Sequence, residues 1–269
     1  MSRITACMSD LKLRHRKALV TFVTAGDPQP DVTVPLLHAM VQAGADMLEI
    51  GVPFSDPMAD GPVIQAACER ALRHHITLHQ VLDMVREFRE RDDTTPVILM
   101  GYLNPVEVWG YADFAQAAAA AGVDGVLTVD MPPEEAAELA GAFRENGIDT
   151  IFLLAPTSDS GRMRKVGEMA SGFLYYVSFK GVTGANRLDV QAVEAKLAEL
   201  RRHTQLPLGV GFGIRDGASA AQVAQIADAV VVGSVLVNKV AEFADQPAVI
   251  PAQVAGIVGE LRAAMDAAG

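Results

Sequence analysis

Residues 47–62 read Met47-Leu48-Glu49-Ile50-Gly51-Val52-Pro53-Phe54-Ser55-Asp56-Pro57-Met58-Ala59-Asp60-Gly61-Pro62. The first part is a short apolar run closed by glycine, with one charge, Glu49, inside it. An apolar run that does not alternate with polar residues suits a parallel strand covered on both faces. The second part, from Pro53 to Pro62, is short of helix formers and rich in Pro, Asp and Gly, the residues of turns. A buried parallel strand that runs into such a loop is one half of a βα unit. The question is how many times the unit recurs.

It recurs along the whole chain. Runs of the same kind lie at Leu19–Thr24, Met47–Gly51, Val97–Tyr102, Gly125–Asp130, Thr150–Leu154, Leu174–Ser178, Leu208–Gly211 and Ala229–Val232. Helical patterns lie between them. Val34, Leu37 and Val41 form an apolar stripe with His38 beside it, 112–121 is alanine-rich, and Glu134–Phe143 follows Pro132-Pro133, which suits a helix start. Most strand starts are spaced by one βα unit of about 25–30 residues. Two connections are longer. The one after the second strand has room for a long loop and an extra helix, and the one after the sixth holds a glycine-rich loop. No Pro/Gly/Ser linker divides the chain. The pattern predicts an α/β fold in which residues 1–269 form one (β/α)8 TIM barrel. An extra helix carrying Ile4, Met8 and Leu11 precedes the barrel, and further helical segments are added to it. An open, doubly wound sheet is the structural alternative.

Composition narrows the function. The chain has 269 residues, half of them hydrophobic, a fifth charged, and a formal net charge of −11. That balance gives a globular protein with a large core and argues against a nucleic-acid partner, because little would neutralise a phosphate backbone. Cys7 and Cys68 match neither CxxC nor a disulfide framework, so reduced thiols in a cytoplasmic protein are expected. No signal peptide is expected at the N-terminus. The longest apolar run, 229–237, falls far short of the roughly 20 residues of a membrane span.

In a barrel the chemistry sits at the C-terminal ends of the strands. Glu49 is a carboxylate in an apolar strand, so burial must raise its pKa or a partner must meet it. That makes it a candidate general acid or base. Its structural alternative is a carboxylate bonded to a neighbouring strand. Asp60, in the loop beyond, could face it as the second of a carboxylate pair, or could be ordinary turn chemistry. Near the C-terminus, Gly209-Val210-Gly211-Phe212-Gly213 and Gly233-Ser234 follow the seventh and eighth strands. There, barrels often bind a phosphate on backbone N–H groups and a helix N-terminus. A dinucleotide fingerprint fits the first motif poorly. Two glycines in Phe179–Asn186 suggest a lid. Lys180 within it is either a solvated loop lysine or a Schiff-base former. His75 and His79 have helical ligand spacing, yet Thr77-Leu78-His79-Gln80 reads as a capping box that separates them, so no metal site is expected.

The segment from Leu48 to Gln65 is similar to the signature of the tryptophan synthase alpha chain family. The likeness extends over nearly the whole chain through Thr21–Pro28, Asn104-Pro105, Asp130 with Pro132 and Glu134-Glu135, Gly181-Val182-Thr183-Gly184 and Gly211-Phe212-Gly213. Met58 stands where the family usually has Leu, a volume-conserving change. The resemblance implies a lyase that splits indole-3-glycerol phosphate into indole and glyceraldehyde 3-phosphate without a cofactor or metal of its own. It implies Glu49 as proton shuttle with Tyr175 beside it, Asp60 at the indole N–H, and Phe22, Met100 and Leu153 lining an apolar slot for the indole. It further implies Gly184, Gly213, Gly233 and Ser234 at the phosphate, with Thr183 in the lid. The partner implied is a beta chain carrying pyridoxal phosphate, in an α2β2 assembly that passes indole through a tunnel. Pro53, Asp56, Pro57, Asn104 and Pro105 are implied at that contact.

Overall fold

The structure is a computed structural model that describes residues 2–177, 189–211 and 213–268. Its strands are β1 (Ala18–Thr24), β2 (Met47–Gly51), β3 (Val97–Gly101), β4 (Gly125–Thr128), β5 (Asp149–Ile151), β6 (Leu153–Leu154), β7 (Leu174–Val177), β8 (Leu208–Gly211) and β9 (Ala229–Val232). All pair in parallel, in the order β5-β4-β3-β2-β1-β9-β8-β7-β6. The two ends of that order, β5 and β6, are consecutive in the chain. The expected fifth strand, 150–154, is therefore one barrel position broken at Phe152. Its first half pairs with β4 and its second with β7. The Tyr175 N–H donates to the Phe152 carbonyl at 3.1 Å, and the Ser171 N–H to that of Thr150 at 3.0 Å. The barrel closes through this segment.

Other boundaries shift for local reasons. β3 stops at Gly101 because Tyr102 caps the helix Leu103–Trp109. β4 stops at Thr128, and the Asp130 carboxylate accepts the Leu103 N–H at 2.8 Å, satisfying a first-turn donor of that helix. The expected helix start at Glu134 is corrected. A turn closed by the Glu135 N–H on the Pro132 carbonyl, at 3.0 Å, comes first, and the helix runs from Ala137 to Glu145. The capping box at Thr77 is present, with Gln80 answering it.

Strand alternation separates the two larger apolar cores of the described residues. The outer one lies between sheet and helices. The inner one fills the barrel with Val20, Met47, Ile98, Leu127, Ile151, Phe173 and Val231, and Ile4, Met8 and Leu11 of the helix Arg3–Leu13 join it. That helix closes the N-terminal end of the barrel. Beside it, buried Asp124 accepts from Arg3 at 2.9 Å, from Arg89 at 2.7 Å and from the Val97 N–H at 2.8 Å. Among the described residues one helical stretch, 247–266, is long and apolar enough by length and composition to cross a membrane. Here its stripe Ile250, Val254, Val258, Leu261 and Met265 is buried in the outer core, and Arg262 pairs with Asp46 at 3.1 Å.

Candidate active site

The inward positions at the C-terminal end of the barrel supply the site. Alternation places Ala18, Val20 and Phe22 of β1 inside, and the register sets Phe22 beside Glu49 and Glu49 beside Ile98. Gly51 pairs with Met100, and Leu153 with Tyr175. Small residues leave the space that the large ones fill. A Cβ on Gly51 would lie 2.6 Å from the Phe22 ring, and one on Gly211 would collide with the Tyr175 hydroxyl. A cavity of about 260 Å³ opens above this layer. Phe22, Met100 and Tyr175 form its apolar wall, with Glu49 and Asp60 in it and Gly213, Gly233 and Ser234 at another side. Leu153 lines an adjoining cavity of about 500 Å³ that shares Asp60, Met100 and Tyr175.

Glu49 is 2% exposed. Burial, helped by the negative charge of Asp60, pushes its pKa up to about 8. The carboxyl is therefore protonated at neutral pH and can give a proton as well as take one. Tyr175, equally enclosed, is held well above the usual phenol range by burial and then by Glu49. Asp60 is half-buried; burial raises its pKa, while a hydrogen bond from the Tyr102 hydroxyl, 3.0 Å to Oδ2, opposes the rise. The site thus holds two carboxyls with different support, the arrangement that separates acid and base roles.

The glycines earn their places by conformation and proximity. Gly213 has φ +81°, a left-handed backbone that disfavours a side chain. Gly233 precedes the helix Ser234–Glu242, and its Cβ would press on Phe22 at 3.3 Å. Leu236 and Val237 already donate to the Gly233 carbonyl, at 2.8 and 3.0 Å, while the N–H groups of Ser234 and Val235 precede any helical acceptor and, with the helix dipole, suit an anion.

Lys180, Thr183 and Gly184 lie outside the described residues, as does the rest of the expected lid. His75 sits between helices, and His79, in the first turn of Leu78–Arg89, stacks on Trp109 at 3.6 Å. Of the expected partner contacts, Asp56 and Asn104 are exposed, and Pro57 and Pro105 are half-buried. Pro53 is buried in the isolated chain. Sequence reading missed two large apolar side chains beside these positions, Met58 at 85% exposed and Val108 at 81%. It also missed Ile64, Ile214 and Arg215, which line the cavity, and Tyr102 behind Asp60. Tyr102 stood at a strand end, the one signal that marked it.

Comparison with known proteins agrees along the whole chain. A family model described as tryptophan synthase alpha chain matches residues 8–266. The tryptophan synthase alpha chain of Thioalkalivibrio sulfidiphilus is 63% identical over 266 residues, 99% of this chain and 100% of that one. That of Nitrosococcus oceani is 61% identical over 267 residues, 99% of this chain and 98% of its own. The crystal structure of tryptophan synthase subunit alpha from Legionella pneumophila superposes with a TM-score of 0.93 at 45% identity, covering 99% of each chain.

Proposed function

Because the chain belongs to the tryptophan synthase alpha chain family, and so is a lyase that cleaves indole-3-glycerol phosphate in tryptophan biosynthesis, we propose that Glu49 is the group that carries the proton through that cleavage. The observation behind this is a buried carboxyl, protonated at neutral pH, that shares a cavity with a second carboxylate and a helix N-terminus. Glu49 first gives its proton to indole C3. As the ring gains positive charge, Asp60 accepts the indole N–H and stabilises it. Glu49, now a carboxylate, takes the proton of the side-chain hydroxyl beside the bond. The C–C bond breaks, its electron pair restores the indole ring, and glyceraldehyde 3-phosphate forms as the aldehyde. Glu49 ends as it began.

Phe22, Met100 and Tyr175 hold the indole by apolar contact, with Leu153 at the next cavity. N–H groups of Gly213, Gly233 and Ser234 hold the phosphate. The residues named act within one TIM-barrel domain, 1–269. Homologues are named as alpha chains without a cofactor. Pyridoxal phosphate then belongs to a beta chain partner in an α2β2 assembly in the cytoplasm. The exposed Met58 and Val108, beside Asp56, Pro57, Asn104 and Pro105, support a docking face there, since large apolar groups cluster where surfaces associate.

Release of indole from indole-3-glycerol phosphate tests the proposal. Glu49→Gln is isosteric and removes the transferable proton. It should retain the fold, judged by circular dichroism, and lose turnover by a factor on the order of 100 or more. Wild-type turnover in this variant would remove Glu49 from the role.

A further inference from the structure

Asp60 lies in a loop of turn residues, yet its proposed task needs a fixed carboxylate. The structure shows how a single side chain restrains it. Tyr102 is 5% exposed, at the junction of β3 and the helix Leu103–Trp109. Its hydroxyl accepts the Ala59 N–H at 2.9 Å and faces Asp60 Oδ2 at 3.0 Å. The Ala59 N–H can only donate, so the hydroxyl's own hydrogen is left for the carboxylate. Phe54 stacks on the tyrosine ring with centroids 5.0 Å apart, which pins the ring to the first part of the same loop. The Gln65 amide donates to the Asp60 carbonyl at 2.8 Å from the following helix. The Leu103 N–H on Asp130, in the loop after β4, fixes the backbone next to the tyrosine.

We infer that Tyr102 is a positioning residue for the cleavage: it sets the direction of the Asp60 carboxylate by engaging Oδ2, which leaves Oδ1 for the substrate. The inference rests on the role proposed for Asp60 above. Tyr102 lines neither cavity, so it acts through Asp60 and not on the substrate. Its hydrogen bond also favours the charged form of Asp60 against the cost of burial. Among the described residues, the other titratable or charged groups around Asp60 are Glu49 on β2, Cys68 on the helix Pro62–Leu72, Tyr175 on β7, and Arg162 and Arg215 along the two cavities.

The test is Tyr102→Phe, which keeps the ring and its stacking and removes only the hydroxyl. Indole release by the full chain is followed against substrate concentration and pH, beside Asp60→Asn. The expected result is a kcat lower by roughly tenfold, the effect of one charge-assisted hydrogen bond, with KM little changed. The acid limb of the rate should also move to higher pH, because Asp60 loses a donor that favoured its charge. Phe54→Leu, which keeps the hydroxyl but frees the ring, should give a smaller shift in the same direction. A Tyr102→Phe enzyme with wild-type kcat and an unmoved acid limb, beside an impaired Asp60→Asn, overturns the inference. A slower rate with an unmoved limb also overturns it, since a merely structural role gives that result. Wild-type turnover in Asp60→Asn would instead sink the role of Asp60 and this inference with it.

Discussion

Glu49 shows how one residue's surroundings set its chemistry. In water its carboxyl would be ionised at neutral pH; inside the barrel, burial and then Asp60 push its pKa up to about 8. The same shift bears on stability. The folded state holds the proton through a range in which the unfolded chain has released it, so stability falls as pH rises from the ordinary carboxylate pKa towards about 8. Above that range the buried charge is a standing cost. Glu49→Gln removes the charge, so it should unfold at higher urea than wild type at alkaline pH, and the gap should close in mild acid. An equal gap at both pH values would contradict the shift. Glu49 was legible in the sequence because a lone charge in an apolar strand needs an explanation. Tyr102 was not, because a tyrosine at a strand end reads as apolar core, and its hydroxyl's partners come from a loop some 40 residues away.

At the scale of elements, the apolar runs located every barrel position, and the Thr77 capping box separated two helices as expected. The break at Phe152 was invisible, because residues 151–154 are uniformly apolar and carry no turn signal. Which side each half pairs with is a property of closure and not of the segment. Pro132-Pro133 misled in the other direction: proline tolerates a helix's first turn but equally starts a tight turn, and here the turn came first. The N-terminal end of the barrel holds stability apart from chemistry. Arg89 is 11% exposed and Asp124 4% on their side chains. Asp124→Asn leaves the guanidinium charge short of its partner, and should cost about 3 kcal/mol in urea unfolding while kcat at moderate temperature is unchanged. A loss of kcat without a loss of stability would place this pair in the catalytic machinery instead.

Across the whole molecule, the net charge of −11 opposes an anionic substrate. The barrel answers locally, with a helix N-terminus and glycine backbone at the cavity in place of a general positive field. The two ends of the barrel divide the work. The N-terminal end is plugged by Ile4, Met8 and Leu11, and the C-terminal end carries the two carboxyls, the cavity and the exposed Met58 and Val108. Composition and strand spacing were enough to read the architecture, because a closed barrel needs eight repeats of one unit. The site needed the register as well, since only pairing sets Phe22 beside Glu49 and Met100 beside Gly51 at the same end of the barrel. The central claim is that cleavage begins with a proton held on Glu49. The pH dependence of kcat/KM for indole-3-glycerol phosphate, measured on the full chain, tests it most directly. The account predicts a rate that falls on the alkaline side with an apparent pKa of about 8, as Glu49 loses the proton it must give. A rate that stays level or rises through that range would contradict it.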